Sequence, residues 1–138
     1  MNILKKQAQQ TMIPDNEKYF SLATQKRDGS LVWTPVWFAR AQAQPDYYVF
    51  SAGDAGKVKR IRNFPNAQIA ACDMSGKVHG KAFPGHAVLI NDQQTTALAY
   101  QLLVNKYGWQ LRLTNLFSRL FGRYNARQMI KISLSVSD

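Results

Sequence analysis

The first third of the chain alternates apolar and polar positions with a period of two, which is typical of β-strands with one buried face. Residues 19–25 show this alternation, and Asp28 with Gly29 marks a tight hairpin turn after them. Residues 31–40 predict a second strand because they are rich in β-branched and aromatic side chains. Residues 47–51 predict a third strand. The pattern therefore indicates antiparallel strands in this part of the chain.

A loop of small residues, 51–56, follows the third strand and leads into a short helix. We predict this helix over residues 55–63, with Asp54 as the N-cap, because an aspartate side chain accepts hydrogen bonds from the first helical turn. Val58 and Ile61 lie three residues apart and predict the buried side of the helix. A proline two residues beyond the last helical position ends it.

Two further strands are predicted after this helix. Residues 68–74 form the first of them, and residues 78–90 are long enough for one bent strand or for two. Gly80, Pro84 and Gly85 are the expected bends or bulges, because glycine and proline weaken a regular strand ladder.

The C-terminal part of the chain predicts a pair of helices and a closing strand. The first helix covers residues 93–107, capped by Asp92 at its start and by Gly108 at its end. A second helical segment covers residues 110–121, where leucine and phenylalanine form one apolar stripe. Residues 129–136 predict the closing strand. Antiparallel strands with helices packed outside them are typical of an α+β barrel.

Length and composition fit a single domain over residues 1–138, because 138 residues with 46% hydrophobic and 19% charged positions suffice for one soluble core. The only cysteine, Cys72, excludes a disulfide within the chain. Residues 2–12 predict a helix or a loose arm and lack the apolar core of a signal peptide. No apolar run approaches the roughly 18 residues of a membrane span. We therefore expect a cytoplasmic protein.

A net charge of +10 indicates an anionic partner, such as a nucleic acid, an anionic lipid or a phosphorylated small molecule. Two basic clusters stand out: Lys57, Lys59, Arg60 and Arg62, then Arg112, Arg119, Arg123 and Arg127. The second cluster has three interpretations. The first is a solvated helix face, the second a rim that attracts an acidic substrate or cofactor, and the third a nucleic-acid or membrane contact. No nucleic-acid-binding motif is present, so we expect no nucleic-acid partner.

The first cluster predicts a phosphate site. The first N–H groups of a helix lack partners and carry about half a positive charge, and Gly53 and Gly56 let a ligand approach the backbone. Lys57 in the first turn and Arg60 on the same face add positive charge. The spacing is not that of a Walker A loop, which needs four residues between its glycines. The alternative interpretation is a solvated basic face.

A second group of residues, 33–38, places Trp33 and Trp37 on either side of Pro35. Proline cannot donate to a strand ladder, so it belongs at an edge or a bulge, where a planar ring can lie against the backbone. The alternative is ordinary packing of the aromatic rings in the core.

Taken together, these segments resemble the pyridoxamine-phosphate-oxidase-like split β-barrels, and more narrowly the small class that depends on the deazaflavin coenzyme F-420. The resemblance covers nearly the whole chain. The matching residues are Tyr19 to Thr24, Asp28 and Gly29, Thr34 to Phe38, Gly56 to Asn63, Cys72 and Asp73, Gly76, Gly80, Gly85 to Ala87, and Lys106 to Gly108.

The resemblance implies an α+β, six-stranded antiparallel split barrel with short flanking helices. It further implies a homodimer with two sites for FMN or coenzyme F-420 at the subunit interface. Lys57 and Arg60 would hold the cofactor phosphate with Ser51 and the loop. The ring system would lie along Thr34, Pro35, Val36 and Trp37, and the site would be bordered by Gly56, Val58 and Lys59.

The implied function is an oxidoreductase that moves a hydride between this cofactor and a small substrate. The alternative is a flavin carrier without turnover. The chain departs from the family where Gly56 replaces a serine, which removes one phosphate hydrogen bond. No side chain stands out as a catalytic acid or base. His79 and His86 are spaced for opposite faces of a strand, so we expect no metal site.

Overall fold

The computed structural model describes residues 13–41, 46–53, 55–108 and 127–135. These ranges hold seven strands and two helices. In chain order they are β1 (Tyr19–Gln25), β2 (Leu31–Val36), β3 (Phe38–Arg40), β4 (Asp46–Ala52), α1 (Gly56–Asn63), β5 (Asn66–Cys72), β6 (Val78–Ile90), α2 (Gln93–Tyr107) and β7 (Arg127–Leu134).

All seven strands belong to one antiparallel sheet with the order β2-β1-β5-β6-β7-β4-β3. The strands β2 and β3 lie at opposite ends of this order, yet Trp37 alone separates them in the chain. A single residue cannot cross a flat sheet, so the sheet must curl until its two ends meet. The predicted α+β split barrel is therefore confirmed.

The predicted count of six strands is wrong, because the expected strand over residues 31–40 is divided into two. Val36 pairs with Phe20 on β1, whereas Phe38 pairs with Val49 on β4. The hydroxyl of Tyr107 accepts a hydrogen bond from the backbone N–H of Phe38. The chain thus leaves one end of the sheet at Val36 and joins the other end at Phe38.

The remaining strand predictions differ from the structure by a few residues. The strand β6 is continuous, and its pairing with β5 shifts between Ala70 and Cys72, opposite the region of Gly80. Pro84 and Gly85 pair regularly with β5, so the predicted bend exists at Gly80 alone.

Helix α2 has the predicted bounds, and Asp92 caps it by accepting a hydrogen bond from the N–H of Thr95. The N-cap of α1 is Ala55, without a side-chain hydrogen bond, where we predicted Asp54. Asp54 lies outside the described residues, as do the predicted segments 2–12 and 110–121 and the end of the strand predicted over 129–136.

The barrel interior is built around three aromatic rings. Phe20 and Phe38 stack with 4.4 Å between ring centroids, and Tyr47 meets both rings edge-on at 5.7 Å. Val58 and Ile61 of α1 pack into the same core, which fixes α1 against the barrel. Val58 and Ile61 form the apolar side of α1 that the sequence predicted. Because this side packs against the barrel, the basic side chains lie on the other sides of the helix.

Helix α2 forms an outer layer over β3, β4 and β7. Its buried residues Ala99, Leu103 and Tyr107 pack with Ala39 and Met129 on the outer face of the sheet. Tyr107 also stacks on the ring of Trp37, with 4.5 Å between centroids and 9° between ring planes. The outer layer therefore holds the residue that connects the two ends of the sheet.

Candidate functional site

The candidate site lies where β4 ends and α1 begins. Ser51 is buried near the end of β4 and pairs with Gln128 on β7. Helix α1 starts five residues later at Gly56 and is held in place by its contacts with β1 and β6. The strand–loop–helix arrangement predicted from the sequence is therefore present, with a helix that packs Val58 into the core and leaves Gly56 exposed at its start.

Arg60 is held in a defined position at this end of the helix. Its Nε donates a 2.6 Å hydrogen bond to the Oγ1 of Thr24, a residue of β1 with no exposed surface. A Cβ added at Gly56 would lie 2.9 Å from the Nη1 of Arg60, so the guanidinium passes directly over the first residue of the helix. The absence of a side chain at Gly56 provides the space for it.

Lys57 lies beside Arg60 and is partly buried. Burial lowers the pKa of Lys57 because the ammonium is poorly solvated, and the positive charge of Arg60 lowers it further. The described residues form two ion pairs, Arg40 with Asp15 and His79 with Glu17, and neither includes Lys57 or Arg60. Two neighbouring cations without a described carboxylate partner make a site that favours an anion.

The backbone of α1 adds to this positive charge. The first turn holds no acidic residue, and the N-cap, Ala55, offers no side-chain acceptor to the first N–H groups. The dipole of the helix therefore adds its positive end to the charges of Lys57 and Arg60. Such an arrangement is electrostatically suited to a phosphate or a carboxylate.

The other predicted residues of the helix divide into two groups. Lys59 and Arg62 are exposed, so they contribute to the general positive field around the site. Val58 is buried in the barrel core, and its side chain faces away from any ligand at the helix end. Of the basic cluster in the sequence, the structure therefore brings Lys57 and Arg60 together with Gly56 at the start of the helix.

The predicted ring-binding segment, residues 34–37, follows the edge of the sheet. Thr34 pairs with Leu22, so its side chain shares the inner face of the sheet with Thr24, two residues further along β1. The Oγ1 of Thr34 is buried and has no hydrogen-bond partner among the described residues. A buried polar atom of this kind is rare unless a ligand or a partner satisfies it.

The other three residues of this segment have different surroundings. Pro35 is exposed, Val36 is buried in the core, and Trp37 stacks on Tyr107. The structure therefore brings Thr34 near the strand that holds Arg60, while the ring of Trp37 belongs to the outer layer.

Three residues make contacts that the sequence patterns did not predict. Thr24 orients Arg60, and Tyr107 fixes the crossing between β2 and β3. Lys106 lies with its Nζ 3.4 Å from the centroid of the Phe38 ring. Cys72 and the two histidines add no chemistry here. Cys72 is buried, and burial raises the pKa of its thiol, whereas His79 and His86 are exposed.

The curled antiparallel sheet and the helix at its end define the split-barrel fold of the pyridoxamine-phosphate-oxidase-like proteins, as the sequence motifs predicted. One solved structure with this fold is HutZ, the heme storage protein from Vibrio cholerae. It is 14% identical, with a TM-score of 0.66, and the match covers 99% of this chain and 90% of HutZ.

Two further structures share the fold. An F420-H2-dependent reductase, FDR-A, is 11% identical over 84% of this chain and 94% of its own, with a TM-score of 0.59. A pyridoxamine 5'-phosphate-oxidase-like protein from Listeria innocua is 12% identical over 98% of this chain and 93% of its own, with a TM-score of 0.57. No protein-family profile and no curated protein matches the sequence. Within the described ranges, no helix is long and apolar enough to cross a membrane.

Proposed function

We propose that this protein binds FMN or the deazaflavin coenzyme F-420 through its phosphate at the start of α1, and that it acts as an oxidoreductase on a small substrate. One observation carries the proposal: Lys57 and Arg60 lie together at a helix N-terminus without a described carboxylate to neutralise them. A phosphate supplies the missing negative charge. The fold that this chain shares with an F420-H2-dependent reductase supports the same assignment.

The chain itself would bind and orient the cofactor. Lys57 and Arg60 would hold the phosphate, and Gly56 leaves room for its approach. The hydroxyl of Thr34, which has no partner among the described residues, would hydrogen-bond to the polar edge of the ring system. The exposed Pro35 would lie against the face of the ring system. The cofactor, once bound, supplies hydride transfer, and the protein supplies position and exclusion of water.

We further propose that two copies associate through the outer side of β2, around Trp33 and Pro35. Cross-strand partners share a face, so Trp33 and Pro35 lie in the same rows as the small residues Ser21, Ala23 and Ala70. The two rows carry no charged side chain, and the side chain of Trp33 keeps 40% of its surface exposed. Ser21, Ala23 and Ala70 are buried within the chain, so the accessible part of these rows is the edge strand β2 with Trp33 and Pro35. An exposed tryptophan beside an exposed proline favours a protein partner, and the implied family arrangement makes that partner a second copy.

Replacing Trp33 with glutamate tests the dimer. We expect the wild-type protein to be dimeric at micromolar concentration and Trp33→Glu to weaken the dimer at least tenfold, because a buried carboxylate would lack a partner. The matched control is Leu98→Glu on α2, where a similarly exposed apolar residue lies away from this face. Sedimentation equilibrium measures both. A monomeric wild type, or equal weakening by the two variants, would exclude this face as the interface.

The cofactor itself is tested by fluorescence titration with FMN, riboflavin and coenzyme F-420. We expect Lys57→Met to weaken binding of the preferred phosphate-bearing cofactor about tenfold, since it removes one charge-assisted hydrogen bond. Lys59→Met is the control, because Lys59 is the exposed lysine two residues away, and its effect should stay within twofold. Equal behaviour of the two variants would contradict the site.

Turnover then separates an enzyme from a carrier. The split-barrel fold does not decide this, because it also includes HutZ, a heme storage protein. The loaded protein is mixed with a panel of electron acceptors after reduction of the cofactor. Rapid reoxidation by one acceptor and not by others supports an oxidoreductase, whereas slow and unselective reoxidation supports a carrier.

A further inference from the structure

The side chain of Arg60 is restrained at two points before any ligand arrives. Its Nε is bonded to Thr24, and its Nη1 lies over Gly56 at the start of α1. A hydrogen bond at Nε leaves the two terminal nitrogens as donors on the side of the guanidinium that points away from β1. This is the pair of donors that recognises a phosphate in a bidentate manner.

Thr24 is suited to hold an arginine in this way. It is fully buried in the face of β1 that lines the core, so its own position is fixed by the sheet. Its hydroxyl accepts from Arg60 at 2.6 Å and carries no charge. A carboxylate in this place would neutralise the guanidinium and compete with an anionic ligand, whereas a hydroxyl orients the guanidinium and leaves its charge available.

Gly56 affects the position of Arg60 in a second way. Because Gly56 has no side chain, the guanidinium can lie over the start of the helix. The atom that an added Cβ would meet is the end of a flexible side chain, so Gly56→Ala would displace the guanidinium of Arg60 without moving the backbone. The guanidinium therefore occupies the space over the start of the helix that a side chain at position 56 would take.

We propose that Thr24 and Gly56 are positioning residues that hold Arg60 in place to bind the phosphate of the cofactor. This proposal rests on the proposed function and adds the means by which the site is organised in advance. An arginine that is already ordered loses little conformational freedom on binding, so its contacts contribute more fully to affinity. This arrangement determines how much more tightly the protein binds a phosphate-bearing flavin than riboflavin.

The first test compares FMN with riboflavin, which lacks the phosphate, in four proteins. We expect Thr24→Val to reduce the FMN-to-riboflavin affinity ratio about fivefold and Thr24→Ser, which keeps the hydroxyl, to retain it within twofold. Gly56→Ala should reduce the ratio to a similar extent. Riboflavin affinity and melting temperature should change little in Gly56→Ala, because the displaced group is a side-chain end.

A second measurement addresses Arg60 without a flavin. The Nε–H resonance of Arg60 is followed by NMR while inorganic phosphate is added. In the wild type we expect slow hydrogen exchange at this group and a shift on addition of phosphate. In Thr24→Val the exchange should become at least tenfold faster, because the hydrogen bond to Thr24 is removed.

The possible outcomes separate the two proposals. An unchanged FMN-to-riboflavin ratio in both Thr24→Val and Gly56→Ala overturns the positioning role, while the phosphate site stands if Lys57→Met still weakens FMN binding. Equal affinity of the wild type for FMN and riboflavin, with no response of Arg60 to inorganic phosphate, overturns both proposals.

Discussion

Replacing Tyr107 with phenylalanine is expected to destabilise the protein by about 3 kcal/mol. The buried hydroxyl of Tyr107 accepts from the N–H of Phe38 at 2.9 Å, and its proton is within reach of the carbonyls of Phe38 and Lys18 at 2.9 and 2.8 Å. Removing it leaves a buried N–H without a partner, which costs roughly 1–3 kcal/mol, and removes a donor from two carbonyls. Urea unfolding measures the loss as a lower midpoint with an unchanged slope.

The matched control is Tyr19→Phe, because Tyr19 lies next to Lys18 and its hydroxyl has no hydrogen bond among the described residues. It should change stability by less than about 0.5 kcal/mol. The ring stack between Tyr107 and Trp37 persists in Tyr107→Phe, so the change in stability reports on the hydroxyl and not on packing. A loss below about 1 kcal/mol in Tyr107→Phe would show that water replaces the hydroxyl and that the crossing at Trp37 does not depend on it.

The role of Tyr107 explains where prediction of the fold from sequence failed. Local alternation was sufficient for β1, and capping residues were sufficient for α2, because both signals lie within the element itself. The division of the strand over residues 31–40 involves contacts between distant parts of the chain: Val36 pairs with β1, Phe38 pairs with β4, and Phe38 is bonded to a residue 69 positions away. No local pattern contains that information, so a continuous strand was the expected result.

The residues of the candidate site also fall into two groups: those that the local sequence predicts and those that only the folded chain reveals. Gly56, Lys57 and Arg60 follow from local sequence, because a small-residue loop before a basic helix predicts an anion site by itself. Thr24 lies 36 positions from Arg60, and no local pattern indicates that the two side chains meet, so their contact becomes visible only in the folded chain. Lys59 has the same charge as Lys57, and only the burial of the helix distinguishes the two lysines.

The sequence context of Lys106 indicates an ordinary exposed lysine, but its surroundings in the structure are different. A lysine in the last turn of a helix is commonly a solvated cation that interacts with the helix dipole. Here the Nζ is buried, has no hydrogen-bond partner among the described residues and lies over the ring of Phe38. Burial lowers the pKa of Lys106 to about 8, with the charges of Asp15 and Glu17 acting in the opposite direction.

We therefore expect the stability of the wild-type protein to rise between about pH 8 and pH 10. In this range the unfolded chain, with an ordinary lysine, binds more protons than the native protein, and stability then increases with pH. The lowered pKa of Lys57 acts in the same direction. Burial raises the pKa of Tyr47 to about 12 and also raises that of Tyr107, so stability falls again above about pH 10.

Lys106→Met should remove most of this rise and stabilise the protein at pH 7 by about 2 kcal/mol. Roughly 1.4 kcal/mol accompanies each unit of pKa, and partial solvation of the side chain reduces the total. Methionine retains the length of the side chain and its contact with the Phe38 ring without a charge to desolvate. Urea unfolding at pH 7 and at pH 9.5 measures both effects, with Lys81→Met, an exposed lysine of β6, as the control.

A destabilised Lys106→Met protein at pH 7 would reverse this interpretation. The contact between the ammonium and the Phe38 ring, together with the field of Asp15 and Glu17, would then outweigh the cost of burial. The pH dependence separates the two cases independently of the sign at pH 7. A charge that the fold tolerates only at a cost makes stability rise above about pH 8. A charge that the fold favours has a folded-state pKa above the ordinary lysine value, so stability would instead fall as the pH rises from the ordinary value to that raised pKa.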